Sequence, residues 1–278
     1  MHIRDRVPVG ILGGSGVYEL LDDARAIIVD TPYGPPSSPI AIGRLGGREV
    51  AFMARHGEGH RLSPNRVPYR ANIWAFASLG VRAIIASSAV GGLSADTPTG
   101  SFVVPDQLLD RTRDRDDTYF DGEDARLGVQ HLGFADPYCS ALRAAMIAAL
   151  TDAGEQFRPT GTTVVIPGPR FSTRAESAAW RAAGAHIVNM TQYPEAALTA
   201  ELNIGYASLS FVTDADTGRA PGDEPVSAES VLRLLAEAKP RIAAALEGTI
   251  ARIPADYLPA QHIDPAVVSQ VLARGGEA

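Results

Sequence analysis

Val7-Pro8-Val9-Gly10-Ile11-Leu12-Gly13-Gly14-Ser15-Gly16 is an apolar run of strand length that ends in a glycine-rich turn carrying a serine hydroxyl. Short runs of this kind recur, and between them lie Ala/Leu/Arg-rich stretches whose apolar residues have helical spacing. That alternation is the pattern of an α/β protein, a β-sheet with helices packed on its faces. The spacing predicts strands over 7–12, 49–54, 83–87, 101–104, 162–166, 186–190 and 206–213. Helices are predicted over 70–79, 140–153, 172–183, 195–202 and 227–251. Ser227-Ala228-Glu229 gives the last one a start signal, and Val231, Leu234 and Leu235 give it an apolar stripe. Pro240 is expected to kink or divide it.

Polar residues that interrupt this pattern fall at the carboxyl ends of the expected strands. They are Ser15, Arg55-His56, Ser87-Ser88, Asn189-Met190-Thr191 and Asp214-Ala215-Asp216. Open α/β sheets bind ligands just beyond these ends, so the clusters are expected to converge on one site; ordinary polar loops are the alternative. The turn Gly13-Gly14-Ser15-Gly16 can aim N–H groups and a hydroxyl at a phosphate. It lacks the third glycine of a dinucleotide fingerprint and the Lys-Ser/Thr pair of a P-loop, which removes most of the support for a nicotinamide or ATP site.

With 278 residues and 45% hydrophobic content, the chain can bury about three quarters of its unfolded surface. No Ser/Gly/Pro linker divides it, so a single domain over 1–254 is expected, followed by a tail over 255–278 that reads as a helical extension near the site. The net charge of −7 argues against a nucleic-acid surface. A single cysteine, Cys139, excludes an internal disulfide framework and reads as structural, at the start of a helix. The opening residues carry no apolar leader and no stretch approaches membrane-spanning length, so a cytoplasmic location and no membrane partner are expected.

His56-Gly57-Glu58-Gly59-His60 invites a metal reading, but its glycines disfavour the helix that would align the histidines and no third ligand lies close by; no metal or cofactor is expected. Arg55 reads better as a clamp on a small anion. Arg111, Arg113 and Arg115 alternate with aspartates and read as a solvated or subunit-contacting loop; the same caution covers Arg170 and Arg174. Strand geometry extended through Asp214 and Asp216 would put both carboxylates on one face, where mutual repulsion leaves a protonated acid beside an ionised one. That pair suits adenine, giving a proton to N7 and accepting from the exocyclic amine; a solvated Asp turn before Gly218 is the alternative.

These residues together resemble the trimeric purine nucleoside phosphorylase family, and within it the branch that acts on 5′-methylthioadenosine. The resemblance runs over most of the chain. It is carried by residues 10–16, Asp30-Thr31-Pro32-Tyr33-Gly34, Ala54-Arg55-His56-Gly57, 69–74, Ser88-Ala89-Val90-Gly91, 106–112, Tyr119-Phe120-Asp121-Gly122, 168–177, Asn189-Met190-Thr191 and Thr213-Asp214-Ala215-Asp216. It implies a single-domain mixed β-sheet flanked by helices, and phosphorolysis to adenine and 5-methylthioribose 1-phosphate in purine and methionine salvage. Inorganic phosphate would be a co-substrate held by Ser15, Arg55, His56, Ser88, Ala89 and Thr191, with His56, Asp214 and Asp216 as catalytic groups.

The resemblance also implies that the ribose rests on Met190, that the purine lies against Phe171, Ser172 and Gly91, and that Asn189 assists at the base edge. His131, lent by a neighbouring subunit of a homotrimer or dimer of trimers, and Val231 would border the 5′ group. Ala228 stands where a valine is common, and Gln192-Tyr193 differ from the animal relatives, which bears on the 5′ substituent. Competing readings are a phosphorylase for 6-oxopurine nucleosides or methylthioinosine, a hydrolase on the same substrates, and a non-catalytic nucleotide-binding protein.

Overall fold

The computed structural model describes residues 8–13, 21–218 and 226–274. Its strands are β1 (Val9–Gly13), β2 (Asp22–Ile27), β3 (Ile40–Leu45), β4 (Arg48–Ala54), β5 (Ala83–Gly92), β6 (Phe102–Val103), β7 (Gln107–Asp110), β8 (Phe157–Arg158), β9 (Thr162–Val165), β10 (Ile187–Asn189) and β11 (Gly205–Asp214). The helices are α1 (Tyr69–Ser78), α2 (Ser140–Asp152), α3 (Arg174–Ala182), α4 (Gln192–Glu201), α5 (Ala228–Arg252) and α6 (Pro265–Ala273). All the strands join one mixed sheet, as the α/β pattern predicts.

Side chains alternate across the central strands, and each face meets its own helices. Ile84 and Ala86 of β5 and Tyr206 of β11 pack with Ile73, Trp74 and Phe76 of α1, Leu198 of α4, and Val268 and Val271 of α6. Ala83, Ile85, Ala207 and Leu209 face the other way, onto Leu142 and Met146 of α2 and Ile242, Leu246 and Ile250 of α5. The tail therefore closes the first core: the Trp74 indole N–H donates to the Val271 carbonyl at 3.1 Å.

α5 runs through Pro240 without being divided, contrary to the sequence expectation. Its buried stripe of Ala238, Ile242, Ala245, Leu246 and Ile250 outweighs the loss, and Pro240 sits on the exposed side where water can serve the freed carbonyl. β2 and β3 were not anticipated either. β2 is polar and exposed along nearly its whole length, while β3 forms a tight hairpin with β4 through Gly46-Gly47, at φ 58° and 77°. Two successive positive φ angles are what such a two-residue turn needs, and glycine supplies them without strain.

Candidate active site

β5 is the strand on which the site is built. One of its edges is covered by β11 from Ala83 to Gly91. On the other edge β1 pairs only with residues 83–86, and the antiparallel β10 only with Gly91 and Gly92. The carboxyl ends of β1 and β10 thus point at each other across residues 87–90 of β5. Such a reversal of neighbouring strands opens a crevice in an α/β sheet.

Arg55, the residue after β4, enters this gap where β1 and β5 part. Its guanidinium donates to the carbonyls of Leu12 and Ser87, each at 3.0 Å, and makes a paired contact with the Glu195 carboxylate. Both side chains of this ion pair are almost wholly buried, at 2% and 1% exposure. Glu195 also accepts from the Tyr206 hydroxyl at 2.8 Å. Arg55 is thus a brace between strands whose charge is paired with Glu195. The sequence does not single out Glu195; its signal is an acid flanked by the small and apolar residues of α4, whose last residue is a second acid, Glu201.

His56 follows with its Nδ1 at 2.8 Å from the Leu62 carbonyl. A ring nitrogen facing a carbonyl must carry the proton, which leaves Nε2 as an acceptor. Burial, followed by the neighbouring Arg55 charge, pulls its pKa down to about 4, so the ring is neutral at neutral pH. Its face stacks on His60 at 4.3 Å between centroids, with Gly57 and Gly59 at positive φ breaking any helix between them.

At the open stretch of β5, Ser88 and Ala89 are half-buried. Thr191, after β10, is buried at 4% exposure, and Met190 is half-buried. Asn189 turns inward: its Oδ1 accepts from the backbone N–H groups of Thr191 and Gln192 at 2.7 and 2.8 Å, and its amide reaches the Ala89 carbonyl at 3.4 Å. It links the start of α4 to β10 and reaches across to β5. The loop after β9 closes over Met190 at Gly168 (φ 65°), where a Cβ would lie 2.6 Å from the Met190 sulfur.

Asp214 and Asp216 close the other end. Only Asp214 is in β11; Asp216 sits beyond it at φ 54°, so a turn brings the two together and not strand alternation. In that turn the Asp216 N–H donates to Asp214 Oδ1 at 2.8 Å, and the Thr213 hydroxyl donates to Oδ2 at 2.7 Å. The Ser177 hydroxyl of α3 holds Asp216, and Arg174 holds the neighbouring Thr217 carbonyl. Burial raises the Asp214 pKa to about 6, with repulsion from Asp216 the smallest contribution. Burial raises Asp216 too, against the pull of Ser177. Both lie against Gly91, where a Cβ would come within 3.0 Å of Asp214 Oδ1 and 3.2 Å of the Asp216 Cβ. Ser172 has a buried hydroxyl without a partner among the described residues, and Phe171 is 37% exposed.

The arginine-rich loop divides by residue. Arg111 and Arg113 are exposed and line an open cleft of about 440 Å³ with Arg170, Glu176 and Trp180. Arg115 departs from the expected solvated loop: it donates to the carbonyls of Met190 at 2.8 Å, Pro167 at 3.0 Å and Tyr193, and lies over the Tyr69 ring. It fastens the loop after β9 to the end of β10. Glu201 does the same for the following segment, accepting from the Thr118 hydroxyl and Tyr119 N–H at 2.6 and 2.8 Å. His131 is exposed, Val231 is half-buried in the first turn of α5, and Ser15 lies outside the described residues.

A crevice with a hydroxyl-lined end, backed by the buried Arg55–Glu195 ion pair, and an acidic end fits a reaction in which an anion displaces a protonatable base. The chain belongs to the Phosphorylase superfamily, which it matches over residues 8–251. It is 54% identical over 213 residues to the S-methyl-5′-thioadenosine phosphorylase of Mycolicibacterium smegmatis, covering 76% of this chain and 78% of that one. It is 48% identical over 261 residues to the purine nucleoside phosphorylase of Streptomyces coelicolor, covering 92% of each. Among solved structures, a methylthioadenosine phosphorylase from Schistosoma mansoni in complex with adenine matches with a TM-score of 0.85 and 32% identity, over 97% of this chain and 98% of that one. Among the described residues no helix is long and apolar enough to cross a membrane.

Proposed function

We propose that this chain is a pentosyltransferase that cleaves 5′-methylthioadenosine with inorganic phosphate, giving adenine and 5-methylthioribose 1-phosphate. The observation that carries this reading is Asp214, an acid whose burial raises its pKa to about 6, set beside a second buried acid at one end of the crevice. Phosphate sits at the other end, against Ser15, Ser88, Ala89 and Thr191, with the Arg55 charge beneath it. Neutral His56 accepts a hydrogen bond at Nε2 from the proton that hydrogenphosphate keeps. A phosphate oxygen forms a bond to C1′ as the C1′–N9 bond breaks and its electron pair passes into the purine. Asp214 gives its proton to N7, so adenine leaves neutral, and the carboxylate is reprotonated from solvent.

Positioning and electrostatics supply most of the acceleration, since the negative phosphate also stabilises positive charge on the sugar. Phe171, Ser172 and Gly91 surround the base, Met190 the ribose, and Val231 with a neighbouring subunit's His131 the 5′ group. That arrangement makes the working unit a homotrimer, or two stacked trimers, in the cytoplasm. Support comes from residues 111–139, a long stretch without helix or strand that leaves His131 exposed, and from the lone cysteine. A 6-oxopurine nucleoside is the alternative substrate, but Asp214 and Asp216 at this end are carboxylates, which accept from a 6-amino group. The test is product analysis with 5′-methylthioadenosine, with and without phosphate. Free adenine is expected only with phosphate; equal release without it would make the protein a hydrolase.

A further inference from the structure

Behind Ser88 lies a set of polar groups that this reaction does not yet use. Alternation along β5 and β11 puts Ser88, Ser208 and Ser210 on the face that packs against α4, in line with Ala86 and Tyr206, and register sets Ser210 beside Ser88. Ser208, Ser210 and Gln192 are fully buried. Gln192 Nε2 donates to Ser210 Oγ at 3.0 Å and to Ser88 Oγ at 3.4 Å. Ser210 and Ser208 are 3.2 Å apart, and Ser208 and Ser88 3.4 Å. On the far side, the Tyr138 hydroxyl donates to Gln192 Oε1.

Counting donors gives this cluster a direction. A phenol whose deprotonation is opposed by burial donates to Gln192 Oε1, so the amide's two N–H bonds must face the serines. Ser210, which accepts from Gln192, can pass its own proton to Ser208, and Ser208 can pass its proton to Ser88. Ser88 then accepts within the cluster, and its own proton is left over. Ser88 is the half-buried member, so that proton points into the crevice.

We infer that Gln192 is a positioning residue: through the buried Ser210 and Ser208 hydroxyls it holds the Ser88 hydroxyl proton outward, as a ready donor to an oxygen of bound phosphate. This rests on the placement of phosphate at Ser88. Pre-orienting a hydroxyl spares the reorganisation that ligand binding would otherwise require.

The experiment measures KM for inorganic phosphate and for 5′-methylthioadenosine separately in Ser88→Ala, Gln192→Glu, Gln192→Met, Tyr138→Phe and the double variant Ser88→Ala/Gln192→Met. Gln192→Glu supplies only acceptors and draws the Ser88 proton inward, so phosphate KM should rise about tenfold; Gln192→Met, which only frees the hydroxyl, should raise it about threefold, both the size of one hydrogen bond. Nucleoside KM should stay within about twofold, because the cluster lies behind the phosphate end. In the Ser88→Ala background, Gln192→Met should add nothing further. If the Gln192 variants fail to fold, Tyr138→Phe gives the same readout at about twofold. The inference is overturned if Ser88→Ala raises phosphate KM while the Gln192 and Tyr138 variants do not, or if the effects of Ser88→Ala and Gln192→Met multiply. Unchanged phosphate KM in Ser88→Ala would instead overturn the phosphate placement itself, and the inference with it.

Discussion

Glu195 and Asp214 are acids enclosed at opposite ends of the stretch of β5 left open between β1 and β10, and they are held by different partners. Glu195 meets the Arg55 guanidinium, which also grips Leu12 and Ser87. Asp214 is held by a hydroxyl and a backbone N–H, both neutral. A buried carboxylate gripped by a guanidinium is a fixture, whereas one beside neutral donors, as at Asp214, keeps a proton within reach. On the proposed function, the Arg55 end is therefore built for position and the Asp214 end for proton transfer.

Breaking the fixture should have the largest effect on the fold. Glu195→Ala leaves Arg55 buried without a counter-charge and should cost about 3–5 kcal/mol in urea unfolding. Arg55→Met/Glu195→Leu should recover much of that stability while phosphate KM stays high, since the strands are rejoined but the positive charge is gone. Stability and phosphate binding recovered together would show that the ion pair has no part in holding the anion.

At the other end, Asp214→Asn should leave the fold in place and lower kcat about 10²–10⁴-fold, the usual worth of a general acid. A loss no larger than that of Asp216→Asn would move the proton to Asp216. The pH dependence sharpens this. A raised carboxyl pKa means the proton-bearing form dominates below about 6 and is lost as pH rises through it, so kcat/KM for wild type should decline on the alkaline side. A bound purine removes more water and pushes that limb to higher pH. Asp214→Asn should flatten it. Stability has the same sign: the contribution of Asp214 is complete below the ordinary carboxyl pKa and lost as pH rises through about 6. Asp214→Asn should therefore look more stable, relative to wild type, at pH 8 than at pH 5.

The site was legible in the sequence as far as strand ends go. Arg55-His56, Ser87-Ser88, Asn189-Met190-Thr191 and Asp214-Ala215-Asp216 could be named because each follows a short apolar run, and the sheet brings them to one crevice; Ser15, named on the same ground, lies outside the described residues. What links them could not be named. Glu195 meets Arg55 across 140 residues, and Arg115 looks in the sequence like its exposed neighbours Arg111 and Arg113 although its guanidinium is spent on the backbone carbonyls of Pro167, Met190 and Tyr193. The same limit applies to the fold. Buried β5 and β11 announce themselves by composition, whereas β2 has no apolar face to show, and α5 outlasts Pro240 because packing that no local rule records holds it.

The smallest effect concerns neither acid. Val231→Ala should reduce the preference for 5′-methylthioadenosine over adenosine by no more than about tenfold, since it removes two methyl groups worth about 0.8 kcal/mol each when fully buried, and Val231 is half-buried. An unchanged preference would take Val231 away from the 5′ group.

The central claim, that two buried acids make this a reader of adenine, is tested most directly by the ratio of kcat/KM for 5′-methylthioadenosine to that for methylthioinosine at saturating phosphate. It is measured in wild type and in Asp214→Asn/Asp216→Asn. Carboxylates accept from a 6-amino group and repel a 6-oxygen, whereas Asn offers a donor, and a site built around one hydrogen-bonding pattern can reject the other by about 10⁴. The wild-type ratio should strongly favour the amino substrate, and the double variant should shrink or invert it even as overall activity falls. A ratio that does not change would contradict the claim.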